Sequence, residues 1–289
     1  MKKIRRSLLS LSLAALVVLL VPAMALAATD PGLGTAGSFA VLAGTTVTNT
    51  GPSWITGELG VAPGSAVTGF PPGTSGVQHK GDSVATTAET NLTAAFTNAA
   101  AQPCPGTNNF TGSNLGGKNL VPGVYCQTTA PTLTGTLTLN GSGIYIFQIG
   151  STLVTASGAS VVLLGGAQPC QIFWVVSSSA TIATSTTFVG NIMALTSIAM
   201  QTGATLNGRA LARNGAVTLD TNRIIQSGGC GYPAASYVAP PSGNVLPASL
   251  GVPFALRGQF PWLLLIGIGA GLGATGLGVS NRRRRRRTA

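Results

Sequence analysis

Ile182-Ala183-Thr184 is followed by Thr187-Phe188-Val189-Gly190, and eighteen residues later the chain reads Met200-Gln201-Thr202 and then Thr205-Leu206-Asn207-Gly208. Similar triplets stand at Leu153-Val154-Thr155 and Leu219-Asp220-Thr221, so successive threonines are 29, 18 and 19 residues apart. A recurring step of this size marks a coil that repeats, because each coil buries its apolar side only by stacking on its neighbours. Eighteen residues allow three short strands and their corners, a small triangular cross-section. The longest step reads as a coil carrying an insertion, with Gly165-Gly166-Ala167-Gln168-Pro169 as its site. At this repeat length the chain holds roughly six to seven coils.

Outward from that stretch, residues 131–227 keep the same β texture, and it is present again over 29–80 in Phe39-Ala40-Val41-Leu42 and Ile55-Thr56-Gly57-Glu58-Leu59-Gly60-Val61. Short β-rich pieces broken by Gly and Pro indicate all-β structure with frequent turns. Residues 82–101 differ: they contain no Gly or Pro and are rich in Ala. Val84, Ala85, Ala88, Leu92, Ala95, Phe96 and Ala99 fall at helical spacing along one face, Asp82 can cap the start and Pro103 stops the run. One amphipathic helix, needing an apolar wall to lie against, is expected there, followed by an irregular capping segment over 102–126.

The formal charge of +11 sits at the chain ends: Lys2, Lys3, Arg5, Arg6, Arg257 and the six arginines at 282–287. Between 29 and 256, Lys80, Lys118, Arg209, Arg213 and Arg223 balance Asp30, Glu58, Asp82, Glu89 and Asp220. A neutral, nearly chargeless body has no electrostatic drive toward nucleic acid. Residues 1–28 read as a secretory leader, with a basic start, an apolar stretch over 8–21 and small residues at Ala25-Leu26-Ala27. Residues 260–279 are apolar enough to span a bilayer, and the arginines after them fix that end on the cytoplasmic side. Leu246-Pro247-Ala248-Ser249 loosely resembles a sortase motif, with Leu250 where Gly belongs, so a cleaved wall-linked form and a retained span both stay open. The expected organisation is a leader over 1–28, a solenoid body over 29–230, a Pro/Ser/Ala-rich linker over 231–259 and an anchor over 260–289.

Four cysteines remain after export into an oxidising setting. Of three pairings, Cys104–Cys126 would close the Pro/Gly/Asn-rich segment and Cys170–Cys230 would tie the last coil back to the body. His79 is the only histidine and no Cys-x-x-Cys occurs, so neither a metal site nor a cofactor is expected. Sugar cleavage needs paired carboxylates or a calcium site with a base, and the five acids are scattered, so no enzyme activity is expected.

Stacked coils bring equivalent residues about 4.8 Å apart. Thr155, Thr184, Thr202 and Thr221 would form one row, and Thr152, Thr181 and Thr218 another, interrupted by Ala199. Regular methyls and hydroxyls on an uncharged rigid sheet suit a crystalline partner such as ice. Chitin or cellulose would call for exposed aromatics, which are few. Solenoids also stack Thr inside their corners to satisfy backbone groups. Leu153 and Thr155 share parity, so only a corner between them turns Thr155 outward, and spacing leaves either orientation open for each row.

Ser38-Phe39-Ala40-Val41-Leu42-Ala43-Gly44, Gly57-Glu58-Leu59-Gly60-Val61, Thr68-Gly69-Phe70-Pro71-Pro72-Gly73, Pro122-Gly123-Val124-Tyr125, Tyr145-Ile146-Phe147-Gln148-Ile149-Gly150 and Thr205-Leu206-Asn207-Gly208-Arg209-Ala210-Leu211 together resemble the microbial ice-binding protein family. The resemblance covers about residues 33–226. It implies a mostly β fold, a right-handed discontinuous β-solenoid of triangular section with one long α-helix alongside. It also implies a flat ice-contact face, in some members built on a Thr-Ala/Gly-x-Thr/Asn pattern. Thr202-Gly203-Ala204-Thr205 carries that pattern in full, Thr184-Ser185-Thr186-Thr187 departs at its second position, and Thr155-Ala156-Ser157-Gly158 departs at its fourth. Thr221-Asn222-Arg223-Ile224 keeps only the first Thr. The resemblance therefore favours Thr155, Thr184, Thr187, Thr202, Thr205 and Thr221 as ice contacts over the alternative row Thr152, Thr181 and Thr218. A disulfide in the segment after the helix, Cys104–Cys126, also suits the family. The expected partners are an ice surface and, through the C-terminal segment, a membrane, with a single copy of the chain acting outside the cell. The competing expectation is a surface adhesin on the same scaffold, which would show an exposed aromatic or charged patch.

Overall fold

The eighteen-residue step is one circuit of the chain around three walls. Strand Thr187–Ala194 lies parallel to Thr205–Ala212, pairing Thr187 with Thr205 and continuing without a break to Ala194 with Ala212. Gly190 and Gly208 stand midway along these strands with φ of 112° and 152°. A Cβ on Gly208 would lie 1.9 Å from the Gly190 carbonyl oxygen. Only glycine fits there, and each strand passes from one wall to the next across that corner. The computed structural model in which this is seen describes residues 27–228.

One wall, the threonine wall, consists of seven parallel strands: Thr132–Leu133, Leu153–Thr155, Ala180–Ile182, Ile198–Met200, Val217–Asp220, Thr46–Thr50 and Ala66–Thr68. The next, the mixed wall, carries Asn119–Leu120, Thr136–Asn140, Ser160–Leu164, the first halves of the two long strands, Arg223–Ile225 and Trp54–Thr56. The helix wall carries Gly123–Gln127, Tyr145–Ile149, Ile172–Val176, the second halves of the long strands, Phe39–Ala43, Glu58–Val61 and Gln78–Lys80.

Sequence order and stacking order disagree at one junction. The N-terminal coils sit on the last coil, pairing Val41 with Ala210, Val47 with Val217 and Trp54 with Arg223. The stack is therefore discontinuous, and the helix (α1, Ser83–Ala100) carries the chain back along it. Its 18 residues reach about 27 Å, which equals five to six strand spacings of about 4.8 Å. Asp82 caps the helix by accepting from the Ala85 N–H at 2.9 Å. Ala85, Ala88, Leu92, Ala95, Phe96 and Ala99 are buried as the spacing predicts. Val84 is 45% exposed, and Asn91 is buried in addition, donating to the Thr35 hydroxyl at 2.6 Å. The small residues let α1 lie close against Phe39, Leu42, Ile146, Phe173, Met193 and Leu211 of the helix wall. At the far end Gln148 donates to the carbonyls of Ala99 and Gln102, at 2.9 and 2.7 Å, satisfying groups that a helix terminus leaves open.

Inside the three walls runs an aliphatic core with a ladder of rings, Phe110, Tyr125, Phe147, Trp174 and Phe188, each ring centre 4.0 to 5.6 Å from the next. The inserted segment lies at residues 165–171, where Pro169–Gln171 forms a 3-10 turn. Its extra length makes the local step 27 residues, as in Leu153 to Ala180 and Tyr145 to Ile172, rather than 29. Cys104 and Cys126 are joined, with Cα atoms 6.2 Å apart. Cys170 is also disulfide-bonded; its expected partner Cys230 lies outside the described residues. So do the linker over 231–259, the anchor over 260–289 and all but the last two residues of the leader. Among the described residues no helix is long and apolar enough to cross a membrane.

Candidate functional site

The threonine wall presents one unbroken outward row, Thr132, Val154, Thr181, Ala199, Thr218, Thr48 and Thr68, in register across all seven strands. Strand alternation buries the flanking Leu133, Leu153, Ile182, Ile198, Val217, Leu219 and Val47. Neighbouring positions in the row are about 4.8 Å apart, and the next outward row along each strand lies about 6.6 Å away. That second row pairs Thr46 with Ala66, and the same registers continue it through Ala216, Ser197, Ser179 and Thr152. Among the described residues, no side-chain hydrogen bond engages the hydroxyls of Thr48, Thr68, Thr132, Thr181 or Thr218, and none of these residues is buried. Each hydroxyl is left to water.

The pairing corrects the expected rows. Val154, not Thr155, stands opposite Thr181. Thr155 therefore points inward, 3% exposed, 3.2 Å from the Thr186 hydroxyl and accepting from the Ala183 N–H at 2.8 Å. The strand stays straight through residue 155, so parity decides and the corner comes too late to turn the side chain out. Thr184 and Thr202 do occupy equivalent places at the corner beside the threonine wall, the first half-buried and the second exposed. Thr187 and Thr205 begin the mixed wall, stacked on Ser160 and Thr136.

Thr221 is displaced because the last coil is one residue shorter through this corner. The step is 19 on the threonine wall, from Ile198 to Val217, but 18 on the mixed wall, from Thr205 to Arg223. Thr221 consequently takes a left-handed φ of 53°, where the preceding coils have Gly203 at 69° and Ser185 at 57°. Asp220 rather than Thr221 adjoins Thr202 and accepts its hydroxyl. In the alternative row, Thr181 and Thr218 share a line with Ala199 between them, but Thr152 falls two residues short of it, where Val154 stands. Thr132, Thr48 and Thr68 belong to that line and were not predicted. The signal that could have found two of them is the dipeptide Val47-Thr48, repeated at Val67-Thr68 and Val217-Thr218.

The mixed wall is chemically different. Its Thr136, Ser160, Thr187 and Thr205 run into Arg223 and then Trp54, with the guanidinium 4.9 Å from the centre of the indole and Trp54 53% exposed. Val162 and Leu164 are exposed on it as well. The helix side holds most of the titratable groups. His79 Nδ1 and Asp82 Oδ2 lie within hydrogen-bond distance, 2.7 Å apart. The Ala85 N–H and then His79 hold the Asp82 carboxyl below its usual range. Burial pushes Glu89 up to about 8. Among the described residues no group of three or more His, Cys, Asp or Glu could hold a metal ion.

A family model described as Ice-binding-like matches residues 41–225, from the first described strand to the last. The chain belongs to the ice-binding family. The ice-binding protein of Nostoc sp. (strain HG1) is 50% identical over 198 residues, 66% of this chain and 72% of that protein. Among solved structures, an ice binding protein from an Antarctic biological consortium superposes with a TM-score of 0.68 at 44% identity, covering 71% of this chain and 95% of that one. The ice-binding protein of the Antarctic ascomycete Antarctomyces psychrotrophicus gives 0.67 at 40% identity, over 70% and 100% of the two chains. The adhesin alternative finds no support among these ice-binding relatives. Within an ice-binding family member, the contrast between a threonine wall whose outward side chains are uncharged except for Asp220 at its edge and a mixed wall carrying a cation and an indole becomes the feature that distinguishes candidate contact faces.

Proposed function

We propose that this protein adsorbs to ice through its threonine wall and so restrains the growth or recrystallisation of the crystal. The observation that carries the reading is the seven-position row from Thr132 to Thr68, in register, with free hydroxyls and no charge. A charged side chain holds its own shell of water in an orientation that a crystal does not share. A methyl beside a hydroxyl, repeated at a fixed strand spacing, holds water in a repeating pattern that can merge with a lattice. Backbone pairing across all seven strands keeps the pattern rigid, so little ordering is needed at contact. Thr184 and Thr202 border the array at the corner, and we place Thr187 and Thr205 outside it, on the mixed wall. No step of bond making or breaking is proposed, and one copy of the chain suffices because the row is complete within it.

The wider reading rests on sequence. Residues 1–28 direct export, Cys170 pairs with Cys230, and the coil winds in the right-handed sense usual for crossovers between parallel strands. Residues 260–279 with the following arginines hold the body at the cell surface, so the cell itself is shielded from ice or attached to it. The test is thermal hysteresis and recrystallisation inhibition on the purified protein with its disulfides intact. A hysteresis gap with shaped crystals is expected. A folded protein showing neither would refute the proposal.

A further inference from the structure

We infer that Asp220 limits the strength of ice adsorption, acting as a charged break built into the contact array. The inference rests on the ice-binding reading of the threonine wall. Asp220 ends the strand Val217–Asp220, two residues beyond Thr218 and therefore outward on the same wall, and pairs in register with Thr50. It is half-buried. The other outward positions along this wall are Thr, Ser, Ala, Val or Gln, with Phe70 at the terminal coil.

The carboxylate also disables its neighbour. One oxygen accepts the Thr202 hydroxyl, and the other accepts the Thr221 hydroxyl at 3.1 Å. No cation forms an ion pair with it among the described residues. An ionised carboxylate offers acceptor sites only, about four of them, so the water around it must point its hydrogens inward. A lattice water must both donate and accept. Thr202, exposed at this corner, meanwhile gives its one proton to the carboxylate and has none left for a lattice. Two adjacent positions between Thr184 and Thr50 are thereby withdrawn from the edge of the array. The cause lies in the missing corner residue: the shorter corner after Leu219 brings position 220 against Thr202, where the preceding coil places Gln201 and Thr202 separately.

The experiment measures hysteresis and partitioning into ice for the wild type and for Asp220→Asn, Asp220→Thr and Asp220→Lys, with melting temperatures taken alongside. Asp220→Asn keeps the shape and one acceptor but removes the charge, and Asp220→Thr completes the edge row. Both are expected to adsorb at least about twofold more tightly, the equivalent of ~0.4 kcal/mol, and to widen the gap. Asp220→Lys keeps a charge at the same place and is expected to remain at or below wild type. Folded Asn and Thr variants with unchanged or weaker adsorption would overturn the inference and make Asp220 a group that positions the corner. A wild type with no ice activity would instead refute the proposed function, which is why it is measured first.

Discussion

Glu89→Gln is expected to stabilise the protein at about pH 9 and to leave it nearly unchanged at about pH 4. Glu89 lies on α1 where the helix meets its wall, half-buried, and its Oε1 is buried with no hydrogen-bond partner. Arg213 is near, but its Nε donates to the Thr93 hydroxyl at 3.2 Å and its guanidinium lies 5.0 Å from the centre of the Phe96 ring. Burial raises the Glu89 carboxyl from 4.5 to about 8, with Arg213 opposing only in part. The folded state therefore holds a proton that the unfolded chain has already released. Stability from this group is fully present below about pH 4.5, declines as pH rises toward 8, and is flat beyond. The whole shift corresponds to ~5 kcal/mol at 1.36 kcal/mol per pH unit. Residual solvent contact and the freedom of Arg213 to turn toward an ionised Glu89 reduce this to roughly 2 kcal/mol. Urea unfolding of wild type and Glu89→Gln at about pH 4, 7 and 9 reads the difference directly. A wild-type stability that does not fall over that range, or a variant that follows it in parallel, would refute the reasoning.

Leu92→Ala removes the largest aliphatic side chain from the buried face of α1 and is expected to cost ~3 kcal/mol, measured by chemical unfolding. Replacing Cys104 and Cys126 together with Ser opens a link across 22 residues and is expected to lower stability by ~3 kcal/mol, visible as a lower melting temperature. Arg209 is buried and donates to Gly37 O, Asn191 Oδ1 and the hydroxyl and carbonyl of Ser227 at 2.9 to 3.1 Å, tying the start of the body to its end. Arg209→Met leaves those acceptors unmatched, and a loss of ~3 kcal/mol is expected, with no loss for a variant at the exposed Lys80 as the control.

The repeat was legible because Thr187-Phe188-Val189-Gly190 and Thr205-Leu206-Asn207-Gly208 share a step with no insertion, so one comparison reveals one circuit of the coil. The helix was legible for a similar reason: its cap, its apolar face and its stop are all local. The outward row of the threonine wall was only half legible. Thr181 and Thr218 could be aligned by counting, but Thr48 lies beside Thr218 across 170 residues of chain, at a junction where stacking order abandons sequence order. No periodicity spans such a junction. Thr155 misled because a triplet match ignores where the corner falls, and a one-residue difference in strand length exchanges a surface side chain for a core one. Thr221 misled because the 19-residue step counts an extra residue in the turn before Val217, whereas the corner after Leu219 is one residue shorter and returns the step to 18.

The most direct test of the ice-contact assignment is thermal hysteresis of Thr218→Tyr against Thr205→Tyr, both confirmed folded. Thr218 stands within the row between Ala199 and Thr48, whereas Thr205 stands on the mixed wall between Thr187 and Arg223. A bulky ring on the threonine wall should hold the crystal off the whole row, so Thr218→Tyr is expected to lose the gap and Thr205→Tyr to keep it. The reverse pattern, with Thr218→Tyr active and Thr205→Tyr silent, would contradict the assignment and move the ice contact to the mixed wall.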